Sequence, residues 1–245
     1  MRRDVQAIVL ILVGGAVLRI TIGDTFLNYV KEGMRPWLLL SGGTLVVLGV
    51  LGLIDVIRKG RAADAEATPH DEPHEHDDGH GHGAGGPRAA WLLLLPVLAI
   101  FLIAPPALGA YAAARDTANA APTSEAKAPP LPPGDPAPVT VAEYVGRAVW
   151  DDGLTLVDRT VEMTGFVTPD PEGGWWITRM AVACCAADAI PSKVKVLEAP
   201  DLPANTWVTI TGRWVPGGGT KTDTAIPLIE VIDLVEVPQP KNPYE

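Results

Sequence analysis

Three long apolar runs constrain this chain more than anything else in it. They are Val5 to Gly23, Pro36 to Ile54, and the uncharged stretch from Ala89 to Ala114. A helix needs roughly 20 apolar residues to cross a bilayer, and each run meets that length. The first is broken only by Arg19, the second has no charge between Arg35 and Asp55, and the third is headed by Trp91-Leu-Leu-Leu-Leu95. A buried core helix is equally apolar, but three such runs separated by charged loops read as membrane spans. The predicted organisation is two transmembrane helices within 1–61 (about 5–23 and 36–57), a polar loop 62–88, a third transmembrane helix 89–114, a linker 115–138 and an outer domain 139–245. Arg2 and Arg3 ahead of an apolar stretch also resemble a signal peptide. Arg19, Asp24 and Phe26 stand where a small-residue cleavage site belongs, so the first run reads as an uncleaved anchor.

Basic residues beside the spans set the expected orientation. Arg2, Arg3, Arg58, Lys59, Arg61 and Arg88 flank one side, and Lys31 and Arg35 the other; Arg115 is a single contrary charge. The bias places the N-terminus and loop 62–88 on the cytoplasmic side of the plasma membrane and the C-terminal domain outside it. Arg19 either meets a polar group on a partner membrane protein or snorkels to the interface. Gly14, Gly15, Gly42, Gly43, Gly49 and Gly52 are small enough to let two helices pack closely in lipid.

All five histidines fall inside residues 70–82, as His70, His74, His76, His80 and His82. Asp71, Glu72, Glu75, Asp77 and Asp78 are interleaved with them. Imidazole nitrogen and carboxylate oxygen are ordinary ligands for zinc and its neighbours, so the tract reads as a flexible metal-binding loop. Its expected ligands are the five histidines with Asp71, Glu75 and Asp77. The plainer reading is a polar loop that carries histidine.

The linker is expected to be an extended spacer. Pro122, Pro129, Pro130, Pro132, Pro133, Pro136 and Pro138 lie among Ala, Ser and Gly, and such a segment builds no core of its own. From Val139 onward there are eight Lys/Arg and fifteen Asp/Glu, an acidic balance that argues against a nucleic-acid partner.

Period-two alternation marks strands at residues 159–168, 175–178, 193–197, 206–215 and 226–237, with a short helix near 141–149 ahead of them. Gly165 and Gly212 interrupt strand patterns, where glycine marks a bulge or bend. Five bent strands in this length suit an all-β domain, a five-stranded OB-like barrel. Gly217-Gly-Gly219 lacks the Lys-Ser/Thr of a phosphate loop and reads as a hairpin turn.

The only cysteines are the neighbours Cys184 and Cys185, with Asp188 close behind. A structural disulfide between neighbours is awkward, because adjacent α-carbons sit about 3.8 Å apart and disulfides prefer roughly 4.4–6.8 Å. Three readings stay open: metal ligation by the two thiolates and Asp188, thiol redox chemistry, and a pair of small buried side chains. With no histidine beyond residue 82, a metal site in this domain has only Cys, Asp, Glu and backbone oxygen to draw on.

Several of these elements together resemble the YcgQ-type bacterial membrane proteins, which carry a C-terminal domain of unknown function. The marks are Gly165-Phe-Val167, Arg179, Cys184-Cys185-Ala-Ala-Asp188-Ala189, the strand containing Gly212, and Pro243-Tyr244. The resemblance covers nearly the whole chain. It implies a separate multi-span permease partner of the YcgR or YraQ type and an association with zinc limitation.

The expected function is therefore an accessory metal-handling subunit of a membrane permease complex, with zinc or another divalent transition metal as its ligand. The alternatives are a vicinal-thiol redox protein and a tethered OB-like binding module that uses Trp175, Trp176 and Trp214 as an aromatic groove. With no histidine outside the loop, no Ser-His-Asp set can form, and the sequence argues against an enzyme.

Overall fold

The computed structural model describes residues 3–66, 103, 105–119 and 128–245. The histidine tract and residues 89–102 of the third apolar run lie outside the described residues. The chain divides into two units, Met1–Phe26 with Gly33–Pro105, and Leu27–Glu32 with Pro106–Glu245.

The first unit holds α1 (Arg3–Ile22) and α2 (Arg35–Glu66). The helical stretches Asp4–Ile22 and Glu32–Lys59 are long and apolar enough to cross a membrane. Their outer surface is apolar too: Trp37, Leu40, Leu48 and Leu51 are all exposed. An apolar surface of this extent suits lipid contact and is costly in water. Glycine decides how closely the helices approach. A Cβ on Gly14 would lie 2.7 Å from the Gly42 carbonyl, and one on Gly49 would lie 2.6 Å from Ile11 Cγ1 and 2.8 Å from the Ala7 carbonyl. Gly15 and Gly43 have nothing within 4 Å, so only part of the glycine pattern serves the contact.

The second unit is built on a mixed six-stranded sheet. Its strands are β1 (Ala137–Pro138), β2 (Thr160–Pro169), β3 (Trp175–Ala181), β4 (Ile190–Leu197), β5 (Trp207–Val215) and β6 (Leu228–Glu236). The order is β1-β2-β3-β4-β6-β5, and β2 pairs with β5 as well. β1 with β2 and β4 with β6 run parallel, and the remaining pairs are antiparallel. Gly212 sits at a register shift between β5 and β6, the bulge its sequence position suggests. Gly165 lies where β2 passes from β5 to β3, and a Cβ there would be 2.7 Å from the Thr178 carbonyl. The long β5–β6 connection contains Gly217, Gly218 and Gly219, all with positive φ.

Alternation along the strands fills two layers. Val161, Met163 and Val167 of β2 join Ile177, Val194, Val196, Val208, Ile210 and Ile229 in the main core. The short helix α4 (Val141–Val145), continued by a π-helical turn at Gly146–Trp150, closes that core with Tyr144, Val145 and Val149. Thr140 caps α4 by accepting from the Glu143 amide at 3.0 Å. The opposite face of β2 and β3 carries Phe166 and Met180, which pack with Trp207, Tyr244, Ala110 and Ala113.

Ala110 and Ala113 belong to α3 (Ala110–Arg115), so this end of the third apolar run is part of the globular unit. Alanine is small enough to sit flat on the sheet, and here it buries against aromatic rings.

Residues 128–138 also depart from the expected spacer. Arg147 donates to the Pro129 carbonyl at 2.7 Å, Arg159 donates to the Gly134 carbonyl at 2.8 Å, Leu131 packs on the core, and Ala137–Pro138 pairs with β2. Proline gives up its N–H but keeps its carbonyl. A proline-rich strand is therefore rich in acceptors, and two arginines supply the donors.

Candidate metal centre

The loop joining β3 to β4 contains a single 3-10 turn, Ala186–Asp188, capped by Cys185. Cys185-x-x-Asp188 has the spacing of a capping box with cysteine in place of serine. That signal is present in the sequence and explains why Asp188 lies beside the thiols. Its Oδ1 accepts the Ala183 amide at 2.8 Å, and its Oδ2 accepts the Cys184 and Cys185 amides at 2.9 and 3.1 Å. The Cys184 thiol donates to the same Oδ2 at 2.8 Å.

Cys184, Cys185 and Asp188 each offer a ligand atom, and these atoms lie within 4.8 Å of one another. Both cysteines are free thiols, Cys184 exposed and Cys185 half-buried. Their sulfurs are 3.7 Å apart. Two thiolates at about 2.3 Å from a tetrahedral zinc stand about 3.8 Å apart, so the sulfur pair already has the required spacing. A thiolate and a carboxylate oxygen on the same ion are about 3.5 Å apart, so Asp188 must back away from Cys184 once the thiol proton leaves. The donor set suits zinc or another thiophilic divalent ion.

The hydrogen bond between Cys184 and Asp188 dominates the electrostatics. It holds the Asp188 carboxyl down at about 2, helped by the amides of Cys184 and Ala183. The same bond pushes the Cys184 thiol up to about 11, with Cys185 adding to the effect. Ionised Asp188 thus supports the fold above the ordinary carboxylate range, and that support is lost as pH falls through about 2. The Cys184 contribution is present below about 9 and is lost as pH rises through about 11.

Exposure and reactivity therefore part company at Cys184. Its thiolate fraction near pH 8 is about 100-fold below that of an ordinary thiol, while a more basic thiolate is about 8-fold more nucleophilic, leaving about a tenfold deficit. Stopped-flow reaction with an aromatic disulfide should show Cys184 in a Cys185→Ser chain reacting more slowly than free cysteine, by less than this factor because the Cys185 share of the effect is gone. Asp188→Ala should remove most of the deficit. Equal rates in the two chains would refute the hydrogen bond as its cause.

A segment far away in sequence flanks this loop within the same unit. Val30 forms an antiparallel bridge with Cys185. The Lys31 amide donates to the Cys184 carbonyl at 3.1 Å, and the Ala186 amide donates to the Tyr29 carbonyl at 2.7 Å. No sequence signal links positions so far apart. Tyr244 supports the same segment, its hydroxyl donating to the Asn28 carbonyl at 2.8 Å and accepting from the Leu108 amide at 3.0 Å.

The three tryptophans of the supposed aromatic groove do not share a surface. Trp175 lies in the main core and donates to the Pro200 carbonyl at 3.0 Å. Trp176, next along β3, faces the other way and is buried with the Lys193 ammonium over its ring at 5.0 Å. Trp214 packs on the core at the opposite end of β5, where a Cβ on Gly153 would come within 2.3 Å of its ring. Neighbours on a strand point to opposite faces, which is why Trp175 and Trp176 separate.

Residues 151–245 match the DUF1980 C-terminal domain. The match spans β2 to β6 and the Cys184–Cys185 loop, and is consistent with the YcgQ-type resemblance. No curated protein and no solved structure matches the chain.

Proposed function

We propose that this chain is an accessory metal-handling subunit of a membrane permease complex, its outer domain carrying a zinc site at Cys184, Cys185 and Asp188. One observation carries the reading: two free sulfurs 3.7 Å apart beside a carboxylate, the spacing that a tetrahedral thiophilic ion requires. When such an ion binds, each thiol gives its proton to solvent as its sulfur takes the metal. Asp188 Oδ1 accepts the Ala183 amide independently of the thiol proton, so one anchor of the loop remains while Oδ2 gives way. A fourth ligand, water or a group on the partner, completes the site. An ion that still has an exchangeable position suits handling better than permanent structural use.

Two other readings are weaker. Redox cysteines are activated by a lowered pKa, and Cys184 is shifted the other way. A binding module needs an exposed aromatic face, which Trp175 and Trp176 do not provide. The domain itself we assign to an OB-like barrel. The support is the cyclic pairing β2-β3-β4-β6-β5-β2, with its parallel β4–β6 contact. The permease partner rests on the family resemblance, and the histidine tract adds a second, cytoplasmic metal-binding loop.

Cobalt titration of the reduced full-length chain in detergent tests both metal sites. One equivalent should develop a thiolate-to-cobalt charge-transfer band in the near ultraviolet, and cobalt held by the histidine tract should bind without that band. Replacing the five histidines with serine should remove only the second class. A titration with no charge-transfer band would sink the outer site.

Orientation is tested separately. In intact cells of a Cys184→Ser, Cys185→Ser background, Ser124→Cys should label with a membrane-impermeant thiol reagent and Gly79→Cys should not. Labelling at position 79 alone would reverse the assignment.

A further inference from the structure

We propose that the segment Asn28–Lys31 is a metal-linked clamp on the Cys184–Cys185 loop. Metal on the thiols should tighten the segment, and releasing the segment should weaken the metal. This rests on the metal reading of that loop and adds a positioning element to it.

The argument starts from the cysteine backbone. The amides of Cys184 and Cys185 are both taken by Asp188, and the Cys185 carbonyl accepts the Asp188 amide at 3.0 Å. All of these bonds are internal to the loop. The Cys184 carbonyl instead accepts from Lys31 at 3.1 Å, and the amide of Ala186 donates outward to Tyr29 at 2.7 Å. The bridge between Val30 and Cys185 lies between those two bonds. The Lys31 ammonium adds a contact to the Val182 carbonyl at 3.4 Å, at the other end of the loop. The loop is thus fixed on one side by its own carboxylate and on the other by residues 28–31.

Metal binding disturbs the first side. The proton shared by Cys184 and Asp188 leaves, and the carboxylate has to withdraw from 2.8 Å to about 3.5 Å from the sulfur. The second side then determines whether the sulfurs stay at tetrahedral spacing. A bound ion that fixes both sulfurs must in turn favour the loop geometry that the clamp recognises. Linkage makes the two effects equal in size.

Tyr244 anchors the clamp. Its hydroxyl joins the Asn28 carbonyl to the Leu108 amide, and its backbone bridges to Met180 at the end of β3. Residues 28–31 lie between α1 and α2 in the chain and belong to the same unit as the loop.

Hydrogen–deuterium exchange of the reduced full-length chain in detergent, with excess zinc or with chelator, is the direct test. Amides in 28–32 and 183–188, Lys31 and Ala186 above all, should exchange at least about fivefold more slowly with zinc. Lys31→Pro removes the donor to Cys184 and should weaken cobalt at the thiolate band by about the same factor. Tyr244→Phe removes the anchoring hydroxyl and should shift affinity in the same direction without abolishing the band. Protection in β3 and β5 serves as the control that each variant is folded. A normal charge-transfer band with unchanged exchange and unchanged variant affinities would overturn the clamp and leave the metal site standing. Loss of the band in the unsubstituted chain would overturn both. A variant that lowers the melting temperature but not the affinity also counts against the clamp, since a merely structural role predicts that split.

Discussion

Cys184→Ser and Cys185→Ser should each abolish the thiolate-to-cobalt band and lower affinity at the Cys184–Cys185 site by at least about 100-fold. The site has three protein ligand atoms among the described residues, and each substitution removes one of its two sulfurs. A serine hydroxyl does not ionise near neutral pH and is a poor replacement for thiolate. Asp188→Asn should also weaken the site, though less, for a reason specific to this loop. Both carboxylate oxygens accept backbone amides, so a carboxamide must turn its NH2 toward one or more N–H donors. The loop then reorganises, and affinity should fall at least about tenfold. The pH dependence follows from proton competition. Below about 11 Cys184 must surrender a proton to bind, so affinity should rise about tenfold per pH unit from this group alone. Affinity that is flat between pH 6 and 8, or a Cys184→Ser chain that keeps the band, would end the proposal.

Arg147→Leu should destabilise the C-terminal domain by about 2–4 kcal/mol, because the Pro129 carbonyl and Thr155 lose their donor while Glu143, partly exposed, can turn to water. The guanidinium is buried and makes four contacts: two to Glu143 Oε1 at 2.6 and 3.1 Å, one to the Pro129 carbonyl at 2.7 Å and one to Thr155 Oγ1 at 3.1 Å. Leucine fills part of the space but leaves the Pro129 and Thr155 oxygens without that donor. Arg147→Lys should fall between the two, because an ammonium keeps the charge but lacks the planar fork. Thermal melting should show the leucine variant lower by about 10–20 °C. A shift under about 3 °C would mean that the proline-rich segment holds without this staple.

Much of this protein was legible before any tertiary contact was known. The strands were visible where core-facing residues alternate with less buried ones, as in Val161-x-Met163 and Val208-x-Ile210. The helices α1 and α2 were visible because a long apolar helix is read from composition and length alone. The thiol pair and its carboxylate were visible because they are local. What stayed hidden was of another kind. Trp175 and Trp176 looked like a groove until the strand's pleat sent them to opposite faces. The apolar end of the third run looked like membrane until Ala110 and Ala113 packed on the ring of Phe166 and its neighbours.

Sequence by itself determined the chemistry available to this protein: where apolar length could cross a bilayer, which residues could ligate a metal, and which stretches alternate with the period of a strand. These are properties of neighbours in the chain, set by hydropathy and by the fixed reach of a helix, a strand or a tight turn. Only the tertiary structure decided how that chemistry is arranged. It placed β2 between β3 and β5 and brought Pro129 under Arg147. It also laid Val30 against Cys185, since pairings across more than a hundred residues depend on how the whole core closes and leave no local trace.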